Sequence, residues 1–171
     1  MRKIVLILLI ILTTTACKSS KGNKVTTKKT RTTKTVINRN NSTNNLAESI
    51  IKNAEKYKGT RYKYGGTTKS GMDCSGLIYT AFKEEAITIP RVSSAMAKSG
   101  NWIDLKEVKE GDLLFFATKK NNRSVNHVGL VTYSSTGNIE FIHSTTSNGV
   151  IVSNLAERYW YFAFVQARRV L

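Results

Sequence analysis

The sequence predicts an α+β domain over residues 46–171, with N-terminal helices packed on an antiparallel β-sheet. Helical periodicity is confined to the stretch before Gly111, strand-like apolar runs separated by turn residues fill the stretch after it, and no internal repeat is visible. Helices first and strands after argue for a sheet built from hairpins rather than from alternating βαβ units.

The elements follow in order. Leu46, Ile50, Ala54 and Tyr57 recur on one face of a helix over Leu46 to Lys58, and Gly59 ends it. A glycine-rich loop with Gly65, Gly66 and Gly71 leads to a second helix from about Ser75 to Glu85, whose apolar face is Leu77, Ile78, Ala81 and Phe82. Pro90 and the polar stretch from Ser93 to Gly100 predict a loop and a short helix. Strands are expected at Leu113 to Ala117, Val125 to Thr132, Ile139 to His143, Val150 to Ser153 and Trp160 to Ala167. Trp160, Tyr161, Phe162 and Phe164 are read as core and sheet surface, Asp112 as a shaper of the strand start, and Arg168 and Arg169 as a solvated terminus.

The chain ahead of this domain has a different character. Arg2 and Lys3 precede an apolar run of nine residues, Ile4 to Leu12, and small residues lead to Cys17. A spanning helix needs roughly 20 apolar residues, so residues 1–16 read as an export signal. The small residues before Cys17 resemble a bacterial lipobox, although Thr14 stands where leucine is usual. That resemblance implies lipidation of Cys17 and a membrane-anchored lipoprotein facing the cell wall or periplasm. Residues 18–45 carry eight basic residues, no acid and almost no apolar material. With Cys17 they form an expected disordered tether, residues 17–45, whose charge suits anionic headgroups or acidic wall polymers.

The net charge of +16 does not argue for nucleic acid. Much of it lies in the signal and tether, and residues 46–171 hold 17 Lys+Arg against 11 Asp+Glu. Export makes nucleic acid an unsuitable partner.

Cys74 is the chemically informative residue. With Cys17 modified, it is the one remaining thiol of an exported protein, where a free thiol is open to oxidation. It stands where the glycine-rich loop enters a helix, and the positive end of the macrodipole there favours thiolate. The two histidines of the chain, His127 and His143, lie on strand-like segments around the turn-rich stretch Tyr133 to Asn138. A hairpin centred at residue 135 puts both on one face, and a one-residue slip separates them. A thiol with two histidines is the outline of a nucleophile with its base.

These motifs resemble the NlpC/P60 cysteine peptidases of bacterial cell walls, which share a papain-like core. The resemblance covers about Leu46 to Arg168. It rests on Gly59-Thr60-Arg61-Tyr62-Lys63-Tyr64-Gly65-Gly66, Asp73-Cys74-Ser75-Gly76-Leu77, Pro90-Arg91-Val92-Ser93, Gly111-Asp112-Leu113-Leu114-Phe115-Phe116, Asn126-His127-Val128-Gly129-Leu130-Val131 and Phe141-Ile142-His143-Ser144, in that order. It implies hydrolysis of murein stem-peptide amide bonds, with Cys74 as nucleophile, His127 as base and His143 orienting His127. Tyr62 is implied as an oxyanion donor beside the Cys74 N–H, with Tyr64 as the rival tyrosine. Asp73, Ser75, Arg91 and Ser93 are implied contacts to the stem peptide. No metal or cofactor is implied, and the domain is expected to be a monomer. Val92 and Met96 depart from relatives that trim free stem peptides, and no separate wall-binding module is visible. Both favour polymeric or crosslinked murein. The alternatives are an acyltransferase or amidase on the same core, or a non-catalytic wall-binding lipoprotein. The intact Cys74, His127 and His143 argue against the last.

Overall fold

The computed structural model describes residues 30–171 apart from Asn122, with side chains described from Ser42 onward; the expected signal segment and Cys17 lie outside the described residues. The chain runs α1 (Thr30–Glu55), β1 (Thr67–Thr68), β2 (Gly71–Met72), α2 (Cys74–Lys83), α3 (Ser93–Met96), β3 (Asn101–Ile103), a 3₁₀ turn (Leu105–Glu107), β4 (Leu113–Phe116), β5 (His127–Ser135), β6 (Asn138–Thr145), β7 (Gly149–Asn154), α4 (Arg158–Ala163) and β8 (Phe164–Arg169).

Strands β3 to β8 form one antiparallel sheet in the order β3-β8-β4-β5-β6-β7, and β1 and β2 make a separate small hairpin. The α+β expectation is therefore met. Strand β4 shows how the two faces are filled. Leu113 and Phe115 join the core under α1 and α2, with Ile50, Ala54, Leu77, Ile78 and Phe82. Leu114 and Phe116 join a second core on the other face, with Val131, Phe141 and Trp160. Alternate side chains of a strand point to opposite faces, so a run of four buried apolar residues needs cover on both sides.

The sequence reading is corrected in three places. The disorder expected through residue 45 does not hold over residues 30–45, where the backbone continues α1. A helix already nucleated by its packed end adds residues at little cost, even through Thr and Asn. The strand expected at Trp160 to Ala167 is split into α4 and β8. Trp160 and Ala163 are buried while Tyr159, Tyr161 and Phe162 are exposed, a spacing of three that a helix produces and a strand does not. The β-propensity of the aromatic run misleads there. The third correction concerns the hairpin between β5 and β6. Its turn residues are Thr136 and Gly137, since Ser135 pairs with Asn138, but the register shifts between Val131 and Tyr133. Beyond the shift Val131 pairs with Phe141 and Leu130 with Ile142, which centres that end of the hairpin at residue 136 rather than 135.

Candidate active site

Asp73 begins the site by capping α2. Its backbone is extended and its Oδ1 accepts from the Gly76 N–H at 2.6 Å, so Cys74 is the first helical residue. Oδ2 accepts from the Gly65 N–H at 2.7 Å, which ties the glycine-rich loop to the same cap. Arg91 closes the cluster. Its Nη1 donates to Asp73 Oδ1 and Ser75 Oγ, both at 2.9 Å, and its Nη2 donates to Asp73 Oδ2 at 3.1 Å. Gly76 is required by this packing, because a Cβ there would meet the Gly66 carbonyl oxygen at 2.1 Å. Asp73, Ser75 and Arg91 are thus brought together with their polar atoms directed at one another. Ser93, the first residue of α3, has no bond to that cluster.

Cys74 is buried and packs into the core beneath the helices. Burial pushes its thiol pKa up, against a downward pull from hydrogen bonding with the backbone of Val128, Ser75 and Cys74 itself. The expectation that the helix start would favour thiolate is corrected accordingly. Removing the thiolate from water costs more than the helix terminus returns, so the resting sulfur is a neutral thiol.

The histidines are equally dry. His127 opens β5 opposite Phe116, and His143 lies on β6 opposite Ile151 of β7. His127 Nε2 is 2.9 Å from His143 Nδ1, and His143 Nε2 is 3.0 Å from Ser153 Oγ. Burial lowers His127 to about 4. Burial, reinforced by repulsion from His127, lowers His143 to about 3. Both rings are therefore neutral near pH 7. Two proton arrangements satisfy both contacts. In one, His127 Nε2–H donates to His143 Nδ1 and His143 Nε2–H donates to Ser153, leaving a lone pair on His127 Nδ1. In the other all protons shift, and His127 Nδ1 carries the hydrogen. Only the first makes His127 a base.

Cys74, His127 and Tyr62 line one cleft of about 430 Å³, with Asn126, Ser153 and Trp160 among its other walls. Asp73, Ser75, Arg91 and Ser93 do not line it. Tyr62 is positioned by a bridge to Met72, and its phenol pKa is raised by burial first and then by Cys74. Tyr64 is 88 % exposed and outside the cleft. Ser144 Oγ donates to the Met72 carbonyl at 2.8 Å, tying the strand that carries His143 to the segment just before Cys74.

Two site residues escape the sequence reading. Trp160 stacks on His127, with centroids 5.3 Å apart and planes at 21°, and meets His143 edge-on at 4.6 Å. No sequence signal sets Trp160 apart, because Tyr159, Tyr161 and Phe162 beside it are equally aromatic and only burial in the fold distinguishes them. Ser153 has no signal either, because its role depends on pairing across β6 and β7.

Residues 59–169 match the NlpC/P60 family. A relative from Haemophilus influenzae, the "Probable endopeptidase NlpC homolog", is 43 % identical over 114 residues, covering 66 % of this chain and 57 % of the relative. The Escherichia coli "Murein DD-endopeptidase MepS/Murein LD-carboxypeptidase" is 38 % identical over 116 residues, covering 67 % of this chain and 58 % of the relative. The chain thus spans less than two-thirds of either. The crystal structure of an NlpC/P60 family protein from Bacillus cereus superposes with a TM-score of 0.67 at 32 % identity, over 73 % of this chain and 40 % of that one. With this match extending from the Tyr62 segment through the last strand, the chain belongs to the NlpC/P60 family.

Proposed function

We propose that this protein is a murein peptide hydrolase acting through a thioester on Cys74. The observation that supports it most is the bond between His127 Nε2 and His143 Nδ1 in the cleft that also holds the thiol. It occupies one nitrogen of His127 and leaves Nδ1 as the nitrogen available to the sulfur.

The reaction begins from neutral partners. His127 Nδ1 takes the Cys74 proton as the sulfur attacks the scissile carbonyl, so the proton moves during attack. The carbonyl oxygen gains negative charge, which the Cys74 N–H and the Tyr62 hydroxyl would stabilise. His143 accepts from the Nε2–H of the new imidazolium, and Trp160 lies flat against that ring. The C–N bond then breaks, the proton on His127 passes to the leaving amine, and the acyl half remains as a thioester. Water deprotonated by His127 releases it as a carboxylic acid and restores the thiol. Asp73, Ser75 and Arg91 act in this scheme by holding the turn that presents Cys74, and Ser93 is the remaining contact proposed for the stem peptide.

The name of the Escherichia coli relative gives murein as its substrate and DD-endopeptidase as one of its activities. We extend this to the present chain: the bond cut is an amide in crosslinked murein, in keeping with Val92 and Met96. The proposed setting is outside the cytoplasm, with Cys17 lipidated and the basic segment linking lipid to domain. Among the described residues no helix is long and apolar enough to cross a membrane.

The test is digestion of purified sacculi by the full-length chain, followed by mass spectrometry of the released muropeptides. Fragments with one new carboxyl and one new amine support hydrolysis. Unchanged sacculi contradict it, and products carrying an added amine acceptor in place of water identify an acyltransferase.

A further inference from the structure

Helix α4 turns Trp160 and Ala163 inward and leaves three aromatic side chains outside. Tyr159, Tyr161 and Phe162 are 57 %, 61 % and 66 % exposed. Contiguous exposed aromatic surface of this kind marks a contact site more often than it marks idle surface. Here it is rimmed by cations. A shallow groove of about 620 Å³ is lined by Thr118, Lys119, Lys120, Arg158, Tyr159 and Phe162, among others. No carboxylate lines it. Lys119, Lys120 and Arg158 have no ion-pair partner among the described residues. The acid that precedes Arg158, Glu157, is turned to the Asn154 N–H at 2.7 Å.

The groove adjoins the catalytic cleft, because Thr118 and Tyr159 line both. It extends on the side of His127, whose ring is covered by Trp160 of the same helix. That side has a defined chemical meaning. The imidazolium returns its proton to the leaving nitrogen, so the amine half of the substrate departs past His127, while the acyl half stays on Cys74 beside Tyr62.

We infer that this groove is the subsite for the amine-side half of the substrate, an anionic stem peptide still attached to its glycan. The inference rests on the hydrolase reading above. Tyr159 and Phe162 offer flat apolar faces to the sugar or peptide, and Lys119, Lys120 and Arg158 meet its free carboxylates in charge-assisted contacts. Such a groove gives preference for polymeric over short substrates, since its lining residues Lys119, Lys120, Arg158 and Phe162 lie outside the cleft that holds Cys74.

The test separates this subsite from the hydrolase reading by measuring binding without turnover. Full-length Cys74→Ala is pelleted with purified sacculi, alone and combined with Phe162→Ala or with Lys119→Glu and Lys120→Glu. The basic N-terminal segment is the same in every variant, so differences report the groove. Each combination is expected to weaken sacculus binding at least fivefold, and salt is expected to abolish the advantage of the parent over the charge variant. In the Cys74 background the same changes should raise KM on sacculi and leave the rate on a short soluble stem peptide unchanged. Binding equal to the parent in either variant overturns the inference, the charge variant guarding against a folding defect from Phe162→Ala. If binding falls as expected but the Cys74 protein cuts no murein, the subsite stands and the hydrolase reading fails.

Discussion

His127 and His143 share one face of the sheet because a single residue, Thr132, is bulged out of the strand between them and the turn. From the turn, Ser135 pairs with Asn138 and Tyr133 with Glu140. Continued without a break, that register would set Leu130 opposite His143, and His127, three residues from Leu130, would face the other way. The bulge removes one residue from the count. Leu130 now pairs with Ile142, so His143 falls opposite Gly129, two residues from His127, and the rings meet at 2.9 Å.

Deleting Thr132 should therefore separate the proposed base from its orienting partner. The expected loss of turnover is roughly 10²-fold or more, the scale of a misplaced general base. Thermal unfolding followed by circular dichroism shows whether the domain is still folded. A folded deletion variant with near-normal turnover would mean that the His127–His143 contact does not matter to the reaction.

The sequence alone carried the pairing of the two histidines but not its cause. Turn chemistry located the hairpin, and the even spacing of residues 127 and 143 suggested a shared face. The true turn lies about Thr136 and Gly137, and the bulge compensates for the offset. Nothing in Thr132 announces a bulge, because bulging depends on how Val131 and Phe141 pack in the core. The entry of a glycine-rich loop into a helix at Cys74 is legible for the opposite reason, because it depends on local sequence alone, whereas the capping role of Asp73 emerges only in the structure. The state of the thiol was misjudged, since a sequence shows the helix terminus and hides the burial that outweighs it.

Trp160→Leu should lower the turnover number about tenfold with little change in KM, and Trp160→Phe should restore most of it. The flat contact with His127 favours the imidazolium formed during attack and keeps the ring in its plane, a stabilisation of roughly 1–2 kcal/mol. The acid limb of the pH–rate profile should move to lower pH in Trp160→Leu, because losing a contact that favours the imidazolium lowers the pKa of His127. An unchanged profile with a uniform loss of activity would reduce Trp160 to a core residue.

The two tyrosines should respond differently to loss of a hydroxyl. Tyr62 lines the cleft with Cys74, whereas Tyr64 is exposed. Tyr62→Phe is expected to lower the turnover number by roughly 10-fold to 100-fold and leave KM nearly unchanged, because an oxyanion donor acts only after attack begins. Tyr64→Phe should be silent. Steady-state kinetics on one defined crosslinked muropeptide decides the matter, and equal effects at both positions would remove Tyr62 from the oxyanion site.

Acid should destabilise the fold through the same two histidines. Their folded pKa values, about 4 and about 3, lie below the usual 6.5. The unfolded chain thus binds more protons than the folded one as pH falls below 6.5, and stability drops until the folded-state values are reached. The slope contributed by each histidine is at most about 1.4 kcal/mol per pH unit. Urea denaturation at pH 7, 5.5 and 4.5 should show this decline, and His143→Asn should make it shallower. A flat profile between pH 7 and 4.5 would contradict burial of the pair in its neutral form.

The most direct measurement is the rate at which full-length Cys74→Ala cleaves a defined crosslinked muropeptide, compared with the unaltered chain under identical conditions. The proposed mechanism predicts a well-folded variant with no cleavage above the uncatalysed rate, because the thioester cannot form without the sulfur. Cleavage by Cys74→Ala within tenfold of the unaltered chain would contradict the assignment of this thiol as the nucleophile.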